Sequence, residues 1–150
     1  MLREQFTAEL KTAMKAGEKR RVDTIRMITA ALKDKDIEAR GSGKEVTEED
    51  VLALLQKLVK SRQESMAIYE ANARPELAQQ EREEIAVIAT FLPQPLSEAE
   101  TAEAIKAAIA QTGAASIKDM GKVVAALKAA HAGKMDFGKV SGLVKAALAG

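Results

Sequence analysis

The chain has 150 residues, of which 47% are hydrophobic and 30% are charged, and its formal net charge is +1. These proportions are typical of a folded protein and exclude a disordered chain. The absence of cysteine excludes disulfides, thiolate nucleophiles and sulfur-ligated metals, and no stretch approaches the roughly 18 apolar residues that would span a bilayer. We therefore expect a protein of the reducing cytoplasm that makes no contact with membranes.

Helix-forming residues dominate the sequence. Alanine, leucine, lysine and glutamate are abundant, and only three prolines interrupt the chain. No window alternates apolar and polar residues over four or more positions in the way that strands do. The composition therefore predicts an all-α fold.

The first half of the chain carries the signals of four helices. An apolar residue at every fourth position predicts a first helix that stops near Gly17: Leu2, Phe6, Leu10 and Met14. A second helix follows directly, with its apolar stripe at Val22, Ile25, Ile28 and Leu32. Thr47 and Asp50 have the spacing of a capping box and indicate a third helix to about residue 72. Pro75 opens a fourth, because proline is tolerated in a first helical turn.

A proline-rich segment, Leu92-Pro93-Gln94-Pro95-Leu96, separates the two halves of the sequence. Each proline removes a backbone donor and biases its predecessor toward extended geometry, so this segment cannot be helical. We place a domain boundary here. The prediction is an N-terminal four-helix domain over residues 1–92 and a small three-helix bundle over residues 97–150.

Each of the three C-terminal helices has a start signal. The capping residues are Ser97, Ser116 and Asp136, and the first two are completed as capping boxes by Glu100 and Asp119. Glycines at 113 and 133 stand where the first two of these helices should stop.

Positive charge collects near the C-terminus, where six lysines face two aspartates from residue 112 onward. Lysines that contact phosphates release condensed counterions, so this module suits a polyanion. The candidate RNA-binding residues are Lys118, Lys122, Lys134 and Lys139. The first two lie four residues apart on one helix, and the other two come from the following turn and helix and could converge on them. Phe137 is the domain's only aromatic residue, which argues against base stacking. The alternative is that these lysines are ordinary exposed residues.

Other charged and glycine-rich features are interpreted as structural. The basic run Lys19-Arg20-Arg21 and the acidic run from Glu81 to Glu84 are read as solvated helix faces. Gly41-Ser42-Gly43-Lys44 is a flexible connector, because its glycine spacing does not match a phosphate-binding loop. A single histidine, His131, excludes metal sites with several histidines. No catalytic residue, metal or cofactor is predicted.

Gly121 lies inside a predicted helix, where glycine costs about 1 kcal/mol relative to alanine. The preferred interpretation is close packing against another helix, and the alternative is a phosphate bound near the start of the helix, between Ser116 and Gly121. The same helix suggests a protein-binding face formed by Met120, Val124 and Leu127.

Several strings, in collinear order over nearly the whole chain, resemble the YqeY family, which is related to the tail of the GatB subunit of a tRNA-dependent amidotransferase. They include Ala13-Met14-Lys15-Ala16, Lys60-Ser61-Arg62-Gln63-Glu64-Ser65, Arg74-Pro75-Glu76-Leu77-Ala78, Phe91-Leu92-Pro93, Asp119-Met120-Gly121-Lys122-Val123 and Gly133-Lys134-Met135-Asp136.

The resemblance implies tRNA as a partner, together with an aminoacyl-tRNA synthetase or an amidotransferase. It also implies carbon–nitrogen ligase activity with glutamine as amido-N-donor, but that activity belongs to the larger enzyme. The hypothesis is therefore an accessory tRNA-associated module that is non-catalytic alone, and the alternative is a helical protein–protein interaction adaptor. The sequence does not determine the oligomeric state.

Overall fold

The computed structural model describes residues 1–149, which form seven α-helices and no strand. The all-α prediction is confirmed. The helices are α1 (Leu2–Ala16), α2 (Lys19–Gly41), α3 (Glu48–Ala71), α4 (Pro75–Ala89), α5 (Glu98–Thr112), α6 (Met120–His131) and α7 (Phe137–Ala149), and a short 3₁₀ turn, Ile117–Asp119, precedes α6. Two compact units contain them: the N-terminal unit, Met1–Leu92, and the C-terminal unit, Pro93–Gly150. That these units are the separate domains expected over residues 1–92 and 97–150 stays a prediction.

The apolar stripe of α1 rotates away from the core as the helix proceeds. Leu2 and Phe6 are buried, whereas Met14 is 53% exposed and Ala13 takes the buried position. A step of four residues turns about 40° beyond a full revolution in a helix of 3.6 residues per turn, so three steps carry the stripe about 120° around. Ala13, eleven residues after Leu2, returns to nearly the same direction.

The core of the N-terminal unit lies where α2 packs on α1 and α4, and α4 packs on α3. Its fully buried residues include Phe6, Ile25, Ile28, Leu55 and Ile88. Phe91, just after α4, meets the Phe6 ring edge-on at 4.9 Å between centroids. This aromatic pair contributes beyond its buried area.

The C-terminal unit is arranged around α6. Both α5 and α7 pack on α6 but barely touch each other. Val123, Leu127, Val140 and Val144 are buried at the centre of this core. The backbone N–H of Leu96, just before α5, donates to the carbonyl of Lys134, just before α7, at 3.0 Å. The starts of α5 and α7 therefore lie at the same end of the unit.

Candidate nucleic-acid interface

The structure places the four candidate lysines in two pairs instead of one cluster. Lys118 lies in the 3₁₀ turn and Lys122 in the first turn of α6, and we call these the start pair. Lys134 lies beyond the last residue of α6 and Lys139 in the first turn of α7, and we call these the groove pair. At about 1.5 Å per residue, nearly 15 Å of helix separates the pairs. The two pairs therefore lie at opposite ends of α6, and a joint contact of all four lysines with RNA stays a prediction.

A carboxylate already accepts hydrogen bonds from the backbone N–H groups next to the start pair. Asp119 accepts hydrogen bonds from the N–H groups of Ala115 at 2.9 Å and Ser116 at 3.4 Å. These bonds to the backbone amides hold the pKa of Asp119 below its usual value, and the charge of Lys122 adds to the shift. A phosphate at this helix start would meet that negative charge, so the structure disfavours the site that the sequence suggested there.

Gly121 is exposed, and a Cβ added to it would meet no atom within 4 Å. The interpretation of Gly121 as a site of close helix packing is therefore wrong. The glycine leaves an open stretch of surface between the two lysines of the start pair.

Arginine side chains and the N-terminal amine supply the cation of every salt bridge in the described residues, and no lysine of either unit does. Within residues 1–149, every salt bridge lies in the N-terminal unit. The lysines of α6, α7 and the turns before them thus make no salt bridge in the described part of the chain, although the charges of Lys122 and Lys134 act on Asp119 and Glu100. Phe137 is half-buried against the core, and the Lys128 ammonium stands 5.9 Å from the centre of its ring. No ring is left open for a base to stack on in this part of the surface.

A groove runs between α5 and α7, with a volume of about 950 Å³. One face of each helix lines it: Glu98, Thr101, Ala102 and Ile105 on α5, and Lys139, Val140, Leu143 and Ala147 on α7. These positions repeat every three or four residues, so each set forms one helical stripe. Lys134 also lines the groove, whereas neither lysine of the start pair does.

Leu143 is a large apolar side chain that lines this groove and is exposed to solvent. It is 52% exposed, although Val140 and Val144 on the same helix are buried. The protein-binding face expected on α6 consists of Met120, Val124 and Leu127. In the structure Leu127 is only 1% exposed, and the other two are half-buried against the core. The apolar surface lies on the α5–α7 side instead. In the sequence, this surface is indicated by the apolar stripe of α7, which is wider than the contact with one neighbouring helix can cover. Its members are Val140, Leu143, Val144 and Leu148.

The acidic run of α4 is part of an ion-pair cluster. Glu84 receives a hydrogen bond from Arg62 Nε of α3 at 3.0 Å and lies 4.0 Å from Arg20 of α2. The Arg62 and Glu84 side chains are only 17% and 18% exposed. Arg20 also pairs with Glu83 at 3.3 Å. The interpretation of this run as a solvated face is therefore wrong for Glu84, which links three helices.

The basic run at the start of α2 also serves the fold. Arg21 pairs with Glu9 of α1 at 2.8 Å, and its guanidinium lies 5.8 Å from the centre of the Phe91 ring. Only 22% of its side chain is exposed. The interpretation of this run as a solvated helix start therefore holds for the exposed Lys19 and Arg20, although Arg20 also pairs with Glu83, and is wrong for Arg21.

The described residues contain neither a candidate membrane span nor a candidate metal-binding cluster. No helix within residues 1–149 is both long and apolar enough to cross a membrane. In the same range, no three histidine, aspartate or glutamate side chains are grouped so that they could hold a metal ion. His131 is the last residue of α6, and its carbonyl accepts a hydrogen bond from the N–H of Lys134 at 3.0 Å.

Comparison with known proteins extends the similarity over nearly the full chain. The model of the YqeY family, described as Yqey-like protein, matches residues 3–148. A curated relative from Lachancea thermotolerans, named altered inheritance of mitochondria protein 41, mitochondrial, is 37% identical over 86 residues. The aligned region covers 57% of this chain and 45% of that protein. The match therefore spans less than half of the relative's length.

Proposed function

This chain belongs to the YqeY family, and from that membership we propose that it is an accessory module that binds tRNA through the lysines of its C-terminal unit. The RNA would be presented to an amidotransferase or an aminoacyl-tRNA synthetase. The relation of the family to the GatB tail motivates the choice of tRNA as the ligand.

The observation that carries the proposal is the excess of positive charge near the C-terminus, where six lysines face two aspartates from residue 112 onward. Arg20, Arg21 and Arg62 are committed to glutamates of the N-terminal unit. The start pair has no carboxylate within ion-pairing distance in the described residues and is exposed. Exposed lysines outside salt bridges can contact phosphate oxygens, and each contact releases condensed counterions.

Contacts of this kind recognise the backbone of the RNA without reading its sequence. The engaged ring of Phe137 supports this, because single-stranded binders usually need open aromatic platforms. We propose that folded tRNA is recognised by its shape and phosphates. Binding should therefore differ little among tRNA species.

A role without catalysis is proposed for the chain alone. It has no cysteine and one histidine, so the common pairing of a thiol or hydroxyl nucleophile with a histidine base has few candidates. Purified protein should release no ammonia from glutamine, with or without tRNA and ATP. Turnover that survives repurification and disappears on substitution of a named residue would contradict this part of the proposal.

A cytoplasmic location is also proposed, because the cysteine-free composition suits a reducing compartment. The name of the relative from Lachancea thermotolerans assigns that protein to mitochondria. Imaging of the tagged chain in its own cells separates the two locations.

Titration of purified tRNA with the full chain at three or more salt concentrations tests the proposal. If all four lysines contact phosphates, log affinity should fall with log salt at a slope of about −3. A slope near zero, or no binding at low salt, would contradict it. A second function, that of a helical protein-binding adaptor, is favoured by the groove between α5 and α7.

A further inference from the structure

The three helices of the C-terminal unit bring their termini together at two ends. The starts of α5 and α7 are joined by the hydrogen bond from the Leu96 N–H to the Lys134 carbonyl. The N–H of Lys134 donates to the carbonyl of His131, the last residue of α6, so the end of α6 lies there as well. The opposite end therefore holds the end of α5, the start of α6 and the end of α7. In agreement with this, α7 also packs on the 3₁₀ turn before α6.

Charged side chains are divided unevenly between these two ends. The end with the starts of α5 and α7, which we call the balanced end, has three lysines and three carboxylates: Lys128, Lys134, Lys139, Glu98, Glu100 and Asp136. The other, which we call the lysine end, has three lysines and one carboxylate in the described residues: Lys118, Lys122, Lys145 and Asp119. Near the middle of α5, Glu103 and Lys106 offset each other. The excess of positive side chains therefore lies at the lysine end.

The groove pair stands among carboxylates at the balanced end. Glu98 and Asp136 line the groove together with both lysines of the pair. Hydrogen bonds from Ser97 hold the pKa of Glu100 below its usual value, and the charge of Lys134 adds to the shift. A phosphate that approached the groove pair would therefore also meet negative charge.

Lys145 of α7 lies level with the start pair. At the other end of the helix pair, the Phe137 ring of α7 lies beside Lys128 of α6, with 5.9 Å between the ring centre and the ammonium. Eight residues onward along α7 lead to Lys145, and eight residues back along α6 lead to Met120, and each step covers about 12 Å. Leu143, two residues before Lys145, lines the groove. Since two residues turn a helix by about 200°, the exposed Lys145 points away from the groove.

We propose that the RNA contact lies at the lysine end, where Lys145 joins the start pair in binding the phosphates of tRNA and the groove pair takes little part. This inference rests on the proposed function and narrows it to one end of the C-terminal unit. Salt screens the two ends from each other, because nearly 15 Å separates them and the Debye length is about 10 Å at 0.1 M salt.

The helix dipoles reduce the difference between the two ends without reversing it. Two helix C-termini and one N-terminus meet at the lysine end and together carry about −0.5 charge, whereas the opposite arrangement gives about +0.5 at the balanced end. Added to the side chains, these partial charges leave about +1.5 at the lysine end and about +0.5 at the balanced end. The lysine end therefore remains the more attractive one for phosphates.

Titration of purified tRNA with the full chain at several salt concentrations tests the inference. Lys145→Gln should weaken binding about fivefold to eightfold near 0.1 M salt, because one phosphate contact contributes about 0.7–0.9 of a decade in affinity for each decade of salt below 1 M. Its salt slope should also be shallower by about one unit. Lys106→Gln is the matched control, an exposed lysine of the same unit that lies at neither end, and should bind as the wild type does.

The double variant Lys134→Gln with Lys139→Gln tests the exclusion of the groove pair and should lose less than about twofold in affinity, which is less than one phosphate contact contributes. The inference is overturned if Lys145→Gln binds tRNA as tightly as the wild type, or if the groove-pair variant loses as much affinity as Lys118→Gln with Lys122→Gln. Both results leave the proposed function in place. Absence of tRNA binding by the wild type at low salt instead overturns the proposed function, and this inference with it.

Discussion

Gly121 and Gly113 lie in the same unit but in different backbone conformations. Gly113 ends α5 with a φ of 68°, in the left-handed region, whereas Gly121 is helical and faces open space. Gly121→Ala should raise the free energy of unfolding by about 0.5–1 kcal/mol, since alanine orders at a lower entropic cost. Gly113→Ala should lower it by about 1–2 kcal/mol because of its φ. Chemical denaturation of both variants measures the two changes in the free energy of unfolding. Changes of the same sign would contradict the backbone conformations assigned to the two glycines.

Glu81 and Glu84 are predicted to have opposite effects on stability. Burial raises the pKa of Glu81 above its usual value, and the Glu84 carboxylate adds to the shift. The folded protein then holds the Glu81 proton more tightly than the unfolded chain does. Ionised Glu81 therefore costs stability at neutral pH, and this cost disappears as the pH falls through the raised pKa toward 4.5.

Glu81→Gln should accordingly stabilise the protein at pH 7 and have little effect at about pH 4. Glu84→Gln removes the charge that pairs with Arg62 and Arg20 and should lower the free energy of unfolding at pH 7 by about 1–3 kcal/mol. Thermal unfolding at both pH values measures the difference. Destabilisation by Glu81→Gln at neutral pH would show that its charge is needed.

Helix starts are the elements that the sequence predicts best, because their signals are local. The capping boxes of Thr47 with Asp50 and of Ser97 with Glu100 are both confirmed, with side-chain acceptors at 3.1 Å from the expected N–H groups. At the third box, Asp119 accepts from the Ser116 N–H but the Ser116 hydroxyl accepts no cap bond, and the segment begins a 3₁₀ turn, so that α6 starts only at Met120. A capping signal thus marks where a turn begins and does not specify its pitch.

Contacts between helices are not predictable from these local signals. The pairing of Arg62 with Glu84 depends on how α3 and α4 pack, and the two residues are 22 apart in sequence. The groove and the division of the four lysines into two pairs also depend on which helix is central in the C-terminal unit. The spacing of residues along each helix is equally compatible with one cluster of four lysines and with two separate pairs.

The connection between α2 and α3 is the element most open to proteolysis. Residues 42–47 lie outside helices, and Lys44 is exposed. The linker after α4, residues 92–97, contains no lysine or arginine, so trypsin cannot cleave it. Trypsin should therefore cut first after Lys44, as mass spectrometry of early fragments would show. Early cuts after Lys57 or Lys60, inside α3, would contradict the helix assignment.

Charge is distributed unevenly over the whole molecule. The N-terminal unit uses its arginines internally to tie α1, α2, α3 and α4 together. The C-terminal unit keeps its lysines unpaired in the described residues and adds an apolar groove. The lysines of the second unit supply the charge that the proposed RNA contact requires.

The most direct measurement compares tRNA affinity across three proteins at several salt concentrations. These are the wild type, Lys118→Glu with Lys122→Glu, and the matched control Lys11→Glu with Lys15→Glu. The control reverses two exposed lysines with the same spacing of four residues on α1. Exposed lysines affect stability by no more than about 0.5 kcal/mol, so all three proteins should be folded.

We expect the control to bind tRNA nearly as tightly as the wild type does. The start-pair variant should bind all tRNAs more weakly, and its salt slope should be shallower by roughly 2, since each lost phosphate contact removes about one unit. Equal losses in both variants, or an unchanged affinity of the start-pair variant, would contradict the account that the C-terminal lysines bind RNA.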